Sequence, residues 1–230
     1  MDVSFLIVAL GDYDRQVNNI INQNLDFSYE ILVCSDKLIN FENLSNFRFF
    51  EDQGTSVSSF NYLYKKSKGK FIICLNNVIL PPNNIGTLVN KMKSSLKKGN
   101  DFIITSPVDR SAPLAYCEVP EWVAKKINLS HYDDRPRIIR WPCFYRQTVE
   151  KYLGGVIFNQ SFKHHWVDNW LGTFCYVIGK PLKEDIDVRI TALPHNSITK
   201  HDDHDKKVYE LLCDSVREKL NYNLNVKIGE

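Results

Sequence analysis

The chain has 230 residues, of which 43% are hydrophobic and 24% charged, so it can bury a sizeable core within one domain. Its net charge of +2 is too small for a dedicated nucleic-acid binder, and no nucleic-acid partner is expected. The apolar stretch over residues 3–10 has only the length of a strand, so we expect neither a signal peptide nor a transmembrane segment.

The cysteines give a prediction about the compartment. None of them forms a C-x-x-C pair, and most lie in apolar runs, where a free thiol behaves as a small hydrophobic side chain. They are Cys34, Cys74, Cys117, Cys143, Cys175 and Cys213. This pattern favours reduced thiols in a cytoplasmic protein over a disulfide framework.

The first part of the chain alternates between apolar runs and stretches with helical spacing. Strands are predicted over residues 3–10, 29–34, 47–50, 71–75 and 101–105, and helices over residues 13–24, 55–69 and 83–98. Short connections between alternating strands and helices predict an α/β fold with a largely parallel sheet and helices on both faces.

This alternation breaks over residues 107–137, where prolines, scattered charges and aromatic residues predict an extended insertion. Further along, strands are predicted over residues 138–145 and 186–193, and helices over residues 147–153, 165–178 and 203–220.

Residues 70–82 form the stretch on which the functional prediction depends. The run over residues 71–75 has no polar alternation, which is typical of a strand covered on both faces. Asn76 and Asn77 follow it directly, and ligands of open α/β sheets lie just beyond the carboxyl ends of such strands. The two carboxamides are therefore predicted to line a ligand site.

The order of several short motifs resembles that of the family-two glycosyltransferases of the GT-A fold. The similarity extends over residues 3–201. It is carried by the segments SFLIVALGDYDR, EILVCSD, GKFI, CLNNVILPP, FYRQTVEKYLGG and VDNWLGTFCYVIGK. The resemblance implies one Rossmann-like GT-A domain over residues 1–230, with a mixed, mostly parallel central sheet. Residues 1–106 would be the nucleotide-sugar half, residues 107–202 the acceptor half, and residues 203–230 a closing helix and tail.

The resemblance also implies an activity and its participants. A family member transfers a sugar from a nucleotide-sugar donor to a saccharide or other hydroxyl acceptor, and inversion is expected. The donor-binding residues would be Ala9, Leu10, Gly11, Asp36, Asn61, Asn76 and Asn77. Asp36 has a simpler alternative role, as a turn or capping residue.

Asp168 is the candidate general base. It lies at the start of an apolar, aromatic helix, where partial desolvation would raise its basicity. The alternative is a helix N-terminal aspartate that complements the helix dipole. The same alternative is favoured for the HDDHD segment, although the spacing of His201 and His204 also suits a metal.

Four aromatic residues are candidates for stacking against an acceptor sugar, namely Tyr116, Trp122, Trp141 and Trp166. Aromatic side chains of this size are more often part of a core, and both interpretations stay open from the sequence.

A divalent metal is the uncertain component. Family members place an aspartate shortly after the central strand to bind Mg²⁺ or Mn²⁺, and here Val78 follows Asn77 directly. Asn77 and His195 could hold the ion weakly together with donor phosphates, or cationic side chains could replace it. A third alternative is a catalytically silent protein that binds nucleotide-sugar or glycan. An unrelated dinucleotide-binding enzyme is disfavoured, since the first strand is followed by Gly11 and no G-x-G-x-x-G turn.

Overall fold

A computed structural model describes most of the chain. The described residues are 1–9, 11–39, 41, 44–76, 78–80, 83–109, 121–126, 138, 140–180, 183–192, 201–219 and 222. Leu10, Asn77, Tyr116 and His195 lie outside them. None of the helices in the described ranges is both long enough and apolar enough to cross a membrane.

Strands and helices alternate along the described chain. The strands are β1 (Val3–Ala9), β2 (Tyr29–Ser35), β3 (Phe47–Glu51), β4 (Phe71–Leu75), β5 (Val78–Ile79), β6 (Ile104–Asp109), β7 (Cys143–Tyr145) and β8 (Lys183–Ala192). The helices are α1 (Asp14–Ile21), α2 (Ser56–Lys66), α3 (Asn84–Lys97), α4 (Glu121–Lys126), α5 (Arg146–Tyr152), α6 (Val167–Val177) and α7 (Asp202–Lys219).

The strands form one mixed sheet in the order β3-β2-β1-β4-β7-β6-β8-β5. The first four strands of this order are mutually parallel, and β6 runs parallel to β8. Strand β7 is antiparallel to both of its neighbours, and β5 is antiparallel to β8. The predicted α/β class with a mixed, mostly parallel sheet is therefore confirmed.

Two apolar clusters cover the two faces of this sheet, because alternate residues of a strand point to opposite sides. Leu6 and Ile72 belong to the cluster that includes residues of α2, α6 and α7, whereas Phe5 and Ile73 belong to the cluster under α1 and α3. Every residue of β4 is buried, as predicted for a strand covered on both faces. The cysteines within the described ranges are buried and form no disulfide with one another.

The clearest departures from the sequence prediction are at β6, β7 and α4. The strand predicted over residues 101–105 is β6, which begins at Ile104, because the backbone N–H of Ile103 donates to the Thr148 hydroxyl (2.9 Å) instead of to a neighbouring strand. The strand predicted over residues 138–145 is reduced to β7, after Pro142, which has no N–H for a ladder. Helix α4 lies within the segment predicted to be an extended insertion.

The amino-terminal edge of the sheet contains a buried polar network. The Glu30 carboxylate accepts hydrogen bonds from Ser4 Oγ (2.6 Å), Arg48 Nη2 (2.6 Å) and the Lys68 backbone N–H (2.5 Å). Burial raises the pKa of Glu30, but these hydrogen bonds outweigh burial and leave the pKa below its usual value. At Gly69, an added Cβ would lie 2.3 Å from the Ser4 nitrogen, so this edge has no room for a side chain there.

Candidate functional site

The parallel strands β1, β2 and β4 end at the same edge of the sheet. Ala9 pairs with Ser35, and Ile7 pairs with both Val33 and Leu75, so the three strand ends lie side by side. Because ligands of α/β sheets bind at this edge, it is the candidate site. The structure therefore brings together Ala9, Asp36 and Asn76 from the predicted donor-binding set.

Asp36 connects the loop after β1 to the end of β2. Its Oδ1 accepts hydrogen bonds from the Gly11 backbone N–H (2.8 Å) and the Ser35 hydroxyl (3.3 Å). The Ser35 hydroxyl also lies 3.2 Å from the Gly11 carbonyl oxygen. Gly11 has φ +89°, a backbone conformation that favours glycine. Asp36 thus shapes the predicted donor loop, and its exposed side chain also faces solvent.

Asn76 follows β4 and is half-buried at this edge. The stretch from Asn76 to Asn83 contains no aspartate or glutamate. Within the described ranges, no three His, Cys, Asp or Glu side chains come together in a way that could hold a metal ion. Carboxamides without a carboxylate are a poor ligand set for Mg²⁺ or Mn²⁺. The described residues do not fit a tightly held metal.

Asp168 lies in the first turn of α6 and is half-buried. Its Oδ1 accepts hydrogen bonds from the backbone N–H (2.9 Å) and the side-chain Nδ2 (3.3 Å) of Asn169. Burial raises the pKa of Asp168, and these hydrogen bonds and the positive charge of Arg140 offset that effect only in part. A carboxylate with a raised pKa accepts a proton more readily than an exposed aspartate does.

Three contacts place the start of α6 at the edge where the strands end. The loop before α6 packs on the N-terminus of α2, where Lys163 O accepts hydrogen bonds from the Val57 backbone N–H (3.3 Å) and the Ser56 hydroxyl (3.3 Å). Ser56 Oγ also lies 2.6 Å from His164 Nδ1. Since α2 follows β3, whose carboxyl end lies at the same edge as that of β2, Asp168 belongs to the candidate site.

Asp205 is a positioning residue that the sequence analysis interpreted only as a helix-start aspartate. It is fully buried in α7, and its carboxylate accepts hydrogen bonds from the backbone N–H groups of Lys163 (2.9 Å), His164 (2.8 Å) and His165 (2.7 Å). These bonds hold the loop that leads into α6 and so set the position of Asp168. The HDDHD segment offers no signal that separates this aspartate from its neighbours, which are ordinary helix-start residues.

Asn61 has a structural role in place of the predicted donor contact. The side chain is buried, its Nδ2 donates to Phe158 O (2.7 Å), and its Oδ1 accepts from Phe158 N (3.0 Å). Both halves of the amide are thus used to join α2 to the chain after α5. We leave Asn61 out of the candidate site.

Among the aromatic candidates, Trp166 is also a packing residue instead of an acceptor platform. Its Nε1 donates to Asp202 (2.8 Å), its ring lies 5.3 Å from that of Tyr209, and the Lys206 ammonium lies 5.8 Å from its centroid. Trp141 is half-buried and packs against the cluster under α1 and α3. Trp122 belongs to α4, but its side chain lies outside the described set, as does Tyr116.

Solved structures supply the comparison that decides the fold. S. aureus TarS 1-349 in complex with UDP-GlcNAc matches with a TM-score of 0.56 and 12% identity, over 86% of this chain and 60% of that one. GalNAc-T7 with UDP, GalNAc and Mn²⁺ matches with a TM-score of 0.62 and 14% identity, over 91% of this chain and 48% of that one. The fold is that of the GT-A glycosyltransferases.

A third GT-A structure agrees with this result. The mannosyltransferase PcManGT from Pyrobaculum calidifontis, in complex with GDP-Man and Mn²⁺, matches with a TM-score of 0.61 and 14% identity, over 94% of this chain and 64% of that one. No family model matches the chain, and no curated protein matches it by sequence. The chain spans 60% of the length of TarS 1-349 in the first two structures it matches, and the similarity at this identity concerns the GT-A fold alone.

Proposed function

We propose that this protein is an inverting glycosyltransferase that transfers a sugar from a nucleoside diphosphate sugar to a hydroxyl group of a saccharide acceptor. The proposal rests on the burial of Asp168 and on the raised pKa of its carboxyl group. Its carboxylate is half-buried at the edge where the GT-A strands end, and its pKa is raised by burial. A helix-start aspartate that only complements a dipole does not need to be desolvated in this way.

In the proposed reaction, Asp168 carries out one proton transfer. The Asp168 carboxylate takes the proton of the acceptor hydroxyl as the acceptor oxygen forms a bond to the anomeric carbon. The bond between that carbon and the donor's phosphate oxygen breaks, and its electron pair leaves with the diphosphate. A single displacement of this kind inverts the anomeric centre. A positioned general base contributes about 10²–10⁴-fold in rate.

The donor would lie along the ends of β1, β2 and β4. Asp36 is suited to accept hydrogen bonds from ribose or base hydroxyl and amino groups, since its exposed carboxylate extends from the loop that it shapes with Gly11. Asn76 adds a half-buried carboxamide at the end of β4, on the other side of β1. Leu10 and Asn77 complete the proposed donor set from the sequence.

The acceptor would lie on the other side of Asp168. Trp141, which precedes β7 and is half-buried, remains the aromatic candidate whose surroundings the structure describes. Tyr116 and Trp122 stay acceptor-side proposals from the sequence. Which sugar, acceptor and linkage are used is a question for substrate screening.

A second candidate function is a silent GT-A protein that binds nucleotide-sugar or glycan without transfer. The absence of a carboxylate after β4 favours it, because a metal-dependent enzyme would lack its main metal ligand. The desolvated state of Asp168 favours the enzyme, since a protein that only binds has no need of a base.

Asp168→Asn separates the two candidates. Asparagine keeps the shape of the side chain and an oxygen that can accept from Asn169, but it has no basicity. With a donor and acceptor pair found by screening, the variant should retain donor affinity and lose about 99% or more of turnover. Asp203→Asn is the matched control, because Asp203 occupies the first turn of α7 and is exposed.

The control variant should turn over like the parent. An Asp168→Asn variant with parental turnover would remove Asp168 from the mechanism. A parent that binds nucleotide-sugars tightly but transfers no sugar to any acceptor in a broad glycan screen would favour the silent candidate instead.

A further inference from the structure

Arg140 lies near the end of β4, where the chain has no carboxylate that could bind a metal. Strands β4 and β7 pair in antiparallel register, and the pairing continues past β7, where the Cys74 backbone N–H donates to Pro142 O at 3.2 Å. Continuing this register by two residues, beyond the ends of both strands, brings Arg140 level with Asn76. The guanidinium group of Arg140 therefore belongs to a residue near the end of β4, where the sequence has the carboxamides of Asn76 and Asn77.

A second observation connects Arg140 with the proposed base. The positive charge of Arg140 lowers the pKa of Asp168 against the effect of burial, so the two side chains lie within electrostatic reach of each other. The side chain of Arg140 is exposed, so a ligand at this edge can reach it. Arg140 is thus close in sequence to the Pro142 contact with β4, and its charge reaches Asp168 at the start of α6.

We propose that Arg140 binds the diphosphate of the donor and supplies the charge neutralisation for which no metal-binding carboxylate is present. The inference rests on the proposed function. Departure of a nucleoside diphosphate requires a positive charge at its oxygens, and a guanidinium forms paired hydrogen bonds with phosphate in a fixed geometry. The described residues do not fit a tightly held metal, whereas Arg140 is always charged and needs no further ligand.

Isothermal titration of UDP and GDP in the presence of EDTA tests this inference. Each diphosphate is compared with its nucleoside, and the preference for the diphosphate measures the contribution of the phosphate contacts. In the parent this preference should persist in EDTA. Arg140→Gln should reduce diphosphate affinity by about 10- to 100-fold and leave nucleoside affinity unchanged. Arg140→Lys, which keeps the charge but not the paired geometry, should fall between the two.

Lys98→Gln is the matched control, because it also removes one positive charge but lies at the end of α3, away from the site, and is exposed. It should bind every ligand like the parent. This control separates a local phosphate contact from a general loss of positive charge.

The alternative outcomes overturn different claims. Parental diphosphate affinity in Arg140→Gln would overturn the assignment of Arg140 and leave the glycosyltransferase proposal standing. Diphosphate binding that disappears in EDTA and returns with Mn²⁺ would show that a metal supplies the charge, which also overturns the inference alone. If neither diphosphate nor any nucleotide-sugar binds to the parent, both the proposed function and this inference fail.

Discussion

At the two edges of the central sheet, the pKa of a carboxylate is shifted in opposite directions. At the amino-terminal edge, burial would raise the pKa of Glu30, but three donors outweigh it and the pKa falls below its usual value. At the carboxyl-terminal edge, burial of Asp168 exceeds the effect of its hydrogen bonds from Asn169, and the pKa rises. Burial raises the pKa of both carboxylates, so the stronger set of donors around Glu30, which includes the Arg48 guanidinium, decides the opposite direction there.

This difference distinguishes a structural carboxylate from a chemically available one. Glu30 is stabilised as an anion by Ser4, Arg48 and Lys68, and it has little tendency to take a proton. The hydrogen bonds of Asp168 offset only part of the cost of burying its negative charge. The carboxylate therefore accepts a proton readily, as a general base must. If the comparison is correct, changes at the two edges should affect different properties of the protein.

The largest effect on stability is expected at the amino-terminal edge. Glu30→Ala leaves the donors of Ser4 and Lys68 without their acceptor, whereas Arg48 is 37% exposed and still donates to Lys66 O, so the change should cost about 2–3 kcal/mol of unfolding free energy. Because the folded-state pKa of Glu30 is lowered, its contribution is present above the unfolded pKa and is lost as pH falls through the folded value. Denaturant titrations over a range of pH should therefore show the parent approaching the variant in acid.

Glu51→Ala is the control for this experiment, since Glu51 is exposed at the end of β3. Its effect should be within about 0.5 kcal/mol. A comparably small effect for Glu30→Ala would mean that the amino-terminal network is not a structural element, and the comparison of the two edges would fail.

A smaller effect, on binding instead of stability, is expected at Asp36. Asp36→Ala should weaken nucleotide binding by about 1–3 kcal/mol, the scale of a hydrogen bond that involves a charged group. Asp36→Asn keeps an oxygen for the Gly11 N–H but loses the carboxylate. Calorimetry on both variants distinguishes the two roles of Asp36. If the carboxylate contacts the donor, both variants should bind nucleotide more weakly. If it only shapes the loop, the alanine variant alone should bind more weakly. Parental affinity in both would remove Asp36 from the site.

The smallest expected effect is the change in stability caused by Asp168→Asn, and its sign distinguishes the two roles of Asp168. The folded-state pKa of Asp168 is raised, so its ionisation destabilises the folded protein, and stability falls as pH rises from the unfolded towards the folded pKa. Asp168→Asn cannot ionise, and it should melt at a slightly higher temperature than the parent near neutral pH. The difference should vanish below about pH 3.9, the ordinary aspartate value.

A pure helix-dipole role predicts the opposite sign. In that case Asp168→Asn should lose up to about 1 kcal/mol of stability at neutral pH. Melting curves of the parent, Asp168→Asn and the exposed control Asp203→Asn, recorded at several pH values, distinguish the two roles without any knowledge of the substrates.

The sequence was sufficient for those features that depend on local pattern. The continuous apolar run of β4 and the helical spacing of α2 and α3 predicted these elements to within a few residues, because periodicity follows directly from which faces are buried. The order of these elements predicted the α/β class, and the GT-A fold was implied by the resemblance of several short motifs to those of family-two glycosyltransferases. Boundaries at irregular segments were predicted less well, as at β6, where the Thr148 hydroxyl replaces a ladder partner.

The roles of individual polar side chains depended on contacts that the chain order does not reveal. Asn61 fits a motif position, yet its amide is used by Phe158, which lies 97 residues away. Asp205 resembles its acidic neighbours in the sequence but holds the loop before α6. Arg140 comes level with Asn76 only when the antiparallel register of β4 and β7 is continued beyond the strand ends. A local pattern records whether a side chain is buried, whereas hydrogen-bond partners and charges are brought together by folding, so only the tertiary structure decides between a structural and a chemical role.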